Sequence, residues 1–280
     1  MSTIVVRKHR SQVMKDLEIA KTGSNITNQF NKNKSCYTHL FDSDPEYVRF
    51  AQGTYQDVLL AKYDTCLFAS ELERINKSGI LDKIQYAISS SVRRKRVMDE
   101  HDGEWDMDRR WDHEPFSVVR KMPDRRKSVE FIWHTQFPAN VRGRDITRCG
   151  AIVYAITRLI ESSGISVSVN FKKQVTSINV AGELDFDLNI EIKGYNDYLS
   201  ESELASSFTS NFYRRAMFCQ TILASDSQGK EVADNLGYPV KLDNGLFYSD
   251  GKLEIKGYAL TDYDVEVLLD KIIEDLGLTA

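Results

Sequence analysis

Cysteine is scarce in this chain. Its 280 residues hold four, Cys36, Cys66, Cys149 and Cys219, with no C-x-x-C pair and with spacings that fit no zinc pattern. A long apolar run is also missing: nothing approaches the roughly 18 residues that a spanning helix needs. The stretch Met1–Arg10 has too short an apolar core for a signal peptide. These gaps exclude a disulfide scaffold and a membrane-spanning helix. They predict a cytosolic, reducing setting in which the thiols behave as small buried hydrophobes. In that setting Asn25-Ile26-Thr27 reads as a polar turn rather than a glycosylation site. No repeat of 20–50 residues and no low-complexity tract is visible. With 41% hydrophobic and 28% charged residues, the composition also excludes a disordered or fibrous chain. The length suits one large domain or two small ones.

Catalytic signatures are missing too. A phosphate loop needs G-x-x-x-x-G-K-[ST]. The nearest stretch, Gly245 to Leu253, has one residue too many and Leu253 where the hydroxyl belongs. No G-x-G-x-x-G, G-x-S-x-G or H-E-x-x-H is present. The histidines are scattered, and Cys36 and His39 lie too close along the chain to read as a nucleophile–base pair. Asp102, Glu104, Asp106 and Asp108 alternate, but without the EF-hand order they read as a solvated acidic arm. The expectation is therefore no enzyme, no cofactor and no metal. An enzyme with a non-standard carboxylate site at 102–108 is the alternative.

What is present is an uneven charge. Residues 1–148 hold 26 Lys and Arg against 21 Asp and Glu, a balance of +5, while residues 149–280 hold 11 against 20, a balance of −9. That asymmetry suggests a basic working face and an acidic remainder.

The first part reads mostly helical. Asp44-Pro45-Glu46 starts a helix whose apolar period continues past Gly53 to Ala61. A second helix covers Cys66 to Ile75, Ser78-Gly79 breaks the chain, and a third covers Ile80 to Ile88. Residues 99–127 are polar and irregular. From 128 strands and helices alternate. Val129–Trp133 is a strand, and Asp145 or Thr147 opens a helix that stops at Ser162-Ser163-Gly164. Ile165–Phe171 and Leu184–Ile192 are strands of period two. Ser200 or Ser202 caps a helix to about 222, Leu253–Ile255 is a strand, and Thr261-Asp262 opens a final amphipathic helix. This order predicts parallel pairing in a three-layer α/β sheet.

Residues 93–148 carry 14 Lys and Arg interleaved with aromatics, against 11 carboxylates. Cations follow a phosphate backbone and exposed aromatics stack on unpaired bases. The candidate nucleic-acid contacts are Arg93, Arg94, Arg96, Arg109, Arg110, Arg125, Arg126 and Lys127, with Trp105 and Trp111 as stacking residues. Arg148 joins them as the residue that begins the helix whose N-terminus offers free N–H groups. Arg214 and Arg215 read as partners in a structural ion pair.

Several stretches together resemble a known group of proteins. They are Gly103-Glu-Trp-Asp-Met-Asp-Arg-Arg-Trp-Asp-His-Glu-Pro115, Val129–Trp133, Arg148 to Gly164, Val167-Ser-Val169 and Phe212-Tyr-Arg-Arg-Ala-Met-Phe218. As a set they resemble a family of tailed-phage proteins of unassigned function with a von Willebrand A-like α/β core, over about residues 100–280. Von Willebrand A domains carry D-x-S-x-S after the first strand. Here Ile132-Trp-His-Thr-Gln-Phe137 stands in that place, so no metal ligands carry over. The resemblance implies a phage-encoded binding module in the host cytoplasm. The expected architecture is a helical N-terminal region at 1–98, a charged linker or arm at 99–127 and a three-layer von Willebrand A-like (Rossmann-like) domain at 128–280. The expected partner is a phage or host protein or single-stranded DNA, in support of transcription or replication.

Overall fold

The computed structural model describes residues 2–22, 45–79, 81–82, 85–86, 96–99, 104–105, 117–120, 128–135, 141–162, 164–179, 182–227, 238–239, 245–249, 251–256 and 262–275. In chain order the elements begin with β1 (Ser2–His9), α1 (Arg10–Thr22), α2 (Pro45–Ala51), α3 (Tyr55–Leu59) and α4 (Thr65–Lys77). Three short strands follow: β2 (Arg96–Asp99), β3 (Glu104–Trp105) and β4 (Ser117–Arg120). Then come β5 (Ser128–His134), α5 (Gly143–Ser162), β6 (Ser166–Asn179), β7 (Gly182–Lys193) and α6 (Glu201–Ser207). A helical rod consists of α7 (Ser210–Phe212), a π-helical turn (Tyr213–Met217) and α8 (Phe218–Ser227). The chain closes with β8 (Tyr238–Pro239), β9 (Gly245–Ser249), β10 (Lys252–Lys256) and α9 (Asp262–Asp275).

Seven strands form one mixed sheet in the order β1-β7-β6-β5-β10-β9, with β8 beside the far end of β6. β5 pairs parallel with β6 and with β10, and β1 parallel with β7. β6 and β7 run antiparallel, as do β9 with β10 and β6 with β8. The uniformly parallel expectation is thus corrected. Asn179 pairs with Gly182 across a two-residue link, and a link that short allows only a hairpin, since a parallel return needs a dozen residues or more.

Period-two patterning decides which side of each strand is dry. Val129, Phe131 and Trp133 of β5, Val167, Val169 and Phe171 of β6, Ile190 and Ile192 of β7, and Leu253 and Ile255 of β10 are all buried in one cluster. Each fully buried apolar side chain of this size contributes roughly 1.5–3 kcal/mol. The helices bring Val13, Leu17, Phe68, Ile146, Phe208 and Leu269 to the same cluster. Gly150 allows α5 to approach this closely, because a Cβ there would collide with the Phe208 side chain. The opposite face, one residue along each strand, is mostly polar, with Ile132 and Val5 among its apolar members. It carries Glu130 and His134, Asn170 and Lys172, Asp187 and Asn189, Lys252 and Glu254. The helices that contribute to the cluster therefore lie on one side of the sheet, and among the described residues the expected third layer is not seen.

The N-terminal stretch, read from the sequence as mostly helical, contains a strand as well as helices. β1 is an edge strand of the large sheet, with Ile4 and Val6 packed near Phe186 and Ala224. The helix predicted across 45–61 is two helices. Gln52 adopts a left-handed φ of 60°, and Thr54 starts α3 with a capping box shared with Asp57. The helix from Ser200 is likewise interrupted: α6 ends at Phe208 and Thr209 caps the rod anew. Other sequence expectations hold. Gly164 follows α5 at φ 84°, and α9 buries Val265, Leu269 and Ile272, while Asp64, a cap that the sequence reading does not name, begins α4. Cys149 and Cys219 are buried, while Cys66 is exposed.

Candidate functional site

The basic arm is the first place to look. Arg93, Arg94, Arg109, Arg110, Trp111, Arg125, Arg126 and Lys127 lie outside the described residues, as do Asp102, Asp106 and Asp108 of the acidic run. Arg96 and Trp105 belong to a separate three-stranded antiparallel sheet ordered β2-β4-β3. Its register sets Arg96 directly opposite Arg120, Val97 opposite Val119, and Trp105 opposite Ser117. The Arg96 and Trp105 positions are therefore three rows apart, about 10 Å along the strands.

Arg148 does not begin its helix. α5 starts at Gly143, which puts Arg148 in the second turn, half-buried, and leaves Gly143 and Arg144 at the terminus. The sequence signal was misread because Arg142-Gly143-Arg144 lacks a capping residue and glycine usually marks a stop. At this end the Arg142 carbonyl accepts from the Asp145 N–H at 3.1 Å and from the Ile146 N–H at 3.4 Å.

A cleft of about 350 Å³ opens at this terminus, between the 52–67 segment, the start of α5 and the start of the helical rod. Sequence reading named Thr147 only as a possible helix start and did not single out the lining residues Gln52, Lys62 and Ser210. The sequence signal that points toward it is the Thr209-Ser210 pair, since Thr209 is a capping residue type and accepts from the Phe212 N–H. The carboxylates in the cleft are occupied. Asp57 accepts from the Thr54 N–H at 2.9 Å, the Thr54 hydroxyl at 2.7 Å and Lys62 Nζ at 3.0 Å. Burial alone would raise its pKa, but these bonds hold it below the ordinary value. Asp64 accepts from the Leu67 N–H. Ser210 is 2% exposed, and its hydroxyl has no hydrogen-bond partner among the described residues. Arg144 leans on the buried Glu71 at 3.3 Å with its own side chain 71% exposed, while Arg74 bonds Glu71 at 2.9 Å.

The wall behind the cleft is held by the two arginines of the π-helical turn. Arg215 is fully buried. It donates to Asn211 Oδ1 and to the Gly53 carbonyl at 2.8 Å each, and lies over the Tyr47 ring. Arg214 donates to the Phe50 carbonyl and stacks on the Phe50 ring. The Tyr47 hydroxyl donates to the Arg214 carbonyl at 2.6 Å. These cations act on backbone carbonyls, the Asn211 side chain and aromatic rings. They fix α2 and the Gln52–Gly53 bend against the rod.

The end of β5, where a D-x-S-x-S motif would place metal ligands, carries His134 and Thr135. His134 Nε2 lies 3.1 Å from Glu254 Oε2, and Thr135 hydrogen-bonds the Lys172 carbonyl. Among the described residues no group of three or more His, Cys, Asp or Glu could hold a metal ion. Nor is any helix among them long and apolar enough to cross a membrane.

A family model described as a domain of unknown function (DUF7192) matches residues 70–280. No curated protein and no solved structure matches the chain.

Proposed function

We propose, for a chain that belongs to this family, a non-catalytic role: a binding module for an anionic macromolecule, single-stranded DNA. The observation that carries this reading is the pairing of Arg96 opposite Arg120 in the small sheet. Like charges placed directly opposite destabilise a strand pair, and a phosphate backbone laid along them would offset that cost. The surrounding excess of Lys and Arg over 93–148 supports the same reading. Arg93, Arg94, Arg109, Arg110, Arg125, Arg126 and Lys127 would extend the phosphate track, with Trp105 and Trp111 stacking on bases. The finer assignments follow from the resemblance: a von Willebrand A-like core, a phage-encoded accessory protein, and support of transcription or replication in the host cytoplasm. The parallel unit β5–α5–β6 with β10 alongside supports such a core.

The test is a gel shift with single-stranded DNA at two salt concentrations. Binding should weaken steeply with salt, and the double variant Arg96→Ser, Arg120→Ser should flatten the log–log slope by about 0.7 per lost phosphate contact. Absence of any shift at low salt overturns the DNA reading and leaves a protein partner, sought by pull-down from phage-infected cells.

A further inference from the structure

β1 ends the large sheet. It pairs with β7 over eight residues without a bulge, and among the described residues no strand lies on its other side. In a parallel pair every second residue turns its N–H and C=O away from the neighbouring strand. Half of the β1 backbone groups therefore face outward, and among the described residues nothing bonds them. We infer that this edge docks a second copy of the chain, β1 against β1 in antiparallel order, so that two sheets join into one. Such docking is independent of the DNA reading, and its test contains no nucleic acid.

A proline, a bulge or an outward lysine at mid-strand would protect a free edge from an incoming strand. The middle of β1, Thr3-Ile4-Val5-Val6, has none of these. Val5 sits at its centre with 57% of its surface exposed, while Ile4 and Val6 pack near Phe186 and Ala224. The cations of β1 are confined to its C-terminal end, at Arg7 and Lys8, and Lys8 is already held by Asp16 and Gln220.

That distribution selects the occupant and its direction. A second β1 laid parallel would bring Arg7 beside Arg7, a like-charge pair that destabilises. Turned end for end about a two-fold axis at Val5, it sets Val5 opposite Val5, Ile4 opposite Val6 and Arg7 opposite Thr3. Apolar positions then meet apolar positions. The two Arg7 positions lie four rows apart, about 13 Å, which exceeds the screening length of about 8 Å in physiological salt. On that face β7 carries Asp185 and Asp187 in register with Thr3 and Val5, so Arg7 of the second copy approaches carboxylates. Moving the axis to Ile4 or to Val6 sets Val5 against Thr3 or against Arg7 and loses the match. Because both copies use the same edge, assembly closes at two chains. One strand from each copy makes a small interface, so association depends on concentration.

Sedimentation of the full chain tests this, from low micromolar to several hundred micromolar. The mean mass should rise from one chain toward two. Val5→Lys puts two ammonium groups opposite each other on the axis and should weaken association by about tenfold or more. In dilute solution it should melt near the wild type, because Val5 is exposed in the single chain. A one-chain mass at every concentration overturns the inference, and so does equal association of wild type and Val5→Lys. Crosslinking checks the register without relying on the fold of that variant. In oxidised glutathione, Val5→Cys should form a disulfide-linked pair on a non-reducing gel, since directly opposed positions have the Cα spacing that a disulfide needs. Arg7→Cys, whose two copies lie four rows apart, should stay at the wild-type background set by the exposed Cys66. A yield from Val5→Cys no greater than that from Arg7→Cys overturns the pairing.

Discussion

On one face of the large sheet Trp133 stacks on Phe208 with ring centroids 4.4 Å apart, and Phe171 meets both rings edge-on. One residue further along the same strand, on the other face, His134 hydrogen-bonds Glu254, and across the sheet Asn170 donates to Glu130 at 2.9 Å. The same backbone ladder supports both arrangements. The first face draws its energy from area removed from water, which adds up over many residues. The second consists of polar pairs whose net contributions are each near 1 kcal/mol or below. Stability should therefore reside almost wholly on the helix-covered side, and substitutions can test how unequal the two faces are.

The largest expected effect is Trp133→Ala, which empties the centre of the aromatic cluster and should cost about 3–5 kcal/mol in urea unfolding. A loss below about 1 kcal/mol would mean that the two faces are energetically alike. A second substitution sharpens the contrast by removing a charged side chain from the apolar face. Lys173 lies on the apolar face, 2% exposed, with its ammonium 3.9 Å from the Phe218 ring centroid and no hydrogen-bond partner among the described residues. Burial drives its pKa well below the ordinary value. Lys173→Met keeps the volume and removes the stranded amine, so it should stabilise the fold by about 1–3 kcal/mol. Destabilisation would show that the lysine's contact with the Tyr213 and Phe218 rings outweighs its desolvation.

The dry face was largely legible in the sequence, because alternation such as Val129-Phe131-Trp133 depends on a local period. Pairing direction was not. It depends on the length of the link between β6 and β7, which the alternation of Ile165–Phe171 and Leu184–Ile192 does not reveal. β1 escaped notice because Ile4-Val5-Val6 is short and its partner β7 lies about 180 residues away. The break at Gln52–Gly53 was also hidden. It is imposed from outside the segment by Arg215 on the Gly53 carbonyl and Asn211 on the Thr54 carbonyl. The cleft was invisible for the same reason: its lining residues come from three separate stretches, and only their packing brings Lys62, Gly143 and Ser210 together.

The smallest effect belongs to the polar face, and pH separates it from the rest. His134 is 4% exposed. Burial lowers its pKa, with Lys172 and Lys256 acting in the same direction, while the hydrogen bond and charge of Glu254 act against them. A histidine with a depressed folded pKa takes up its proton more readily in the unfolded chain. Its contribution is complete above the unfolded value of about 6.5 and is lost as pH falls through the lower folded value. Urea unfolding at intervals between pH 8 and 5 should show a shallow decline that starts near 6.5. In His134→Gln that step should disappear, although its absolute stability shifts. Asp57 does not confuse the measurement, because a carboxylate held below its ordinary pKa gives up its contribution only in more acid solution, below about pH 4. A decline of equal slope in both proteins would mean that Glu254 compensates the buried imidazole fully, and that this face tolerates a charge at no measurable cost to the fold.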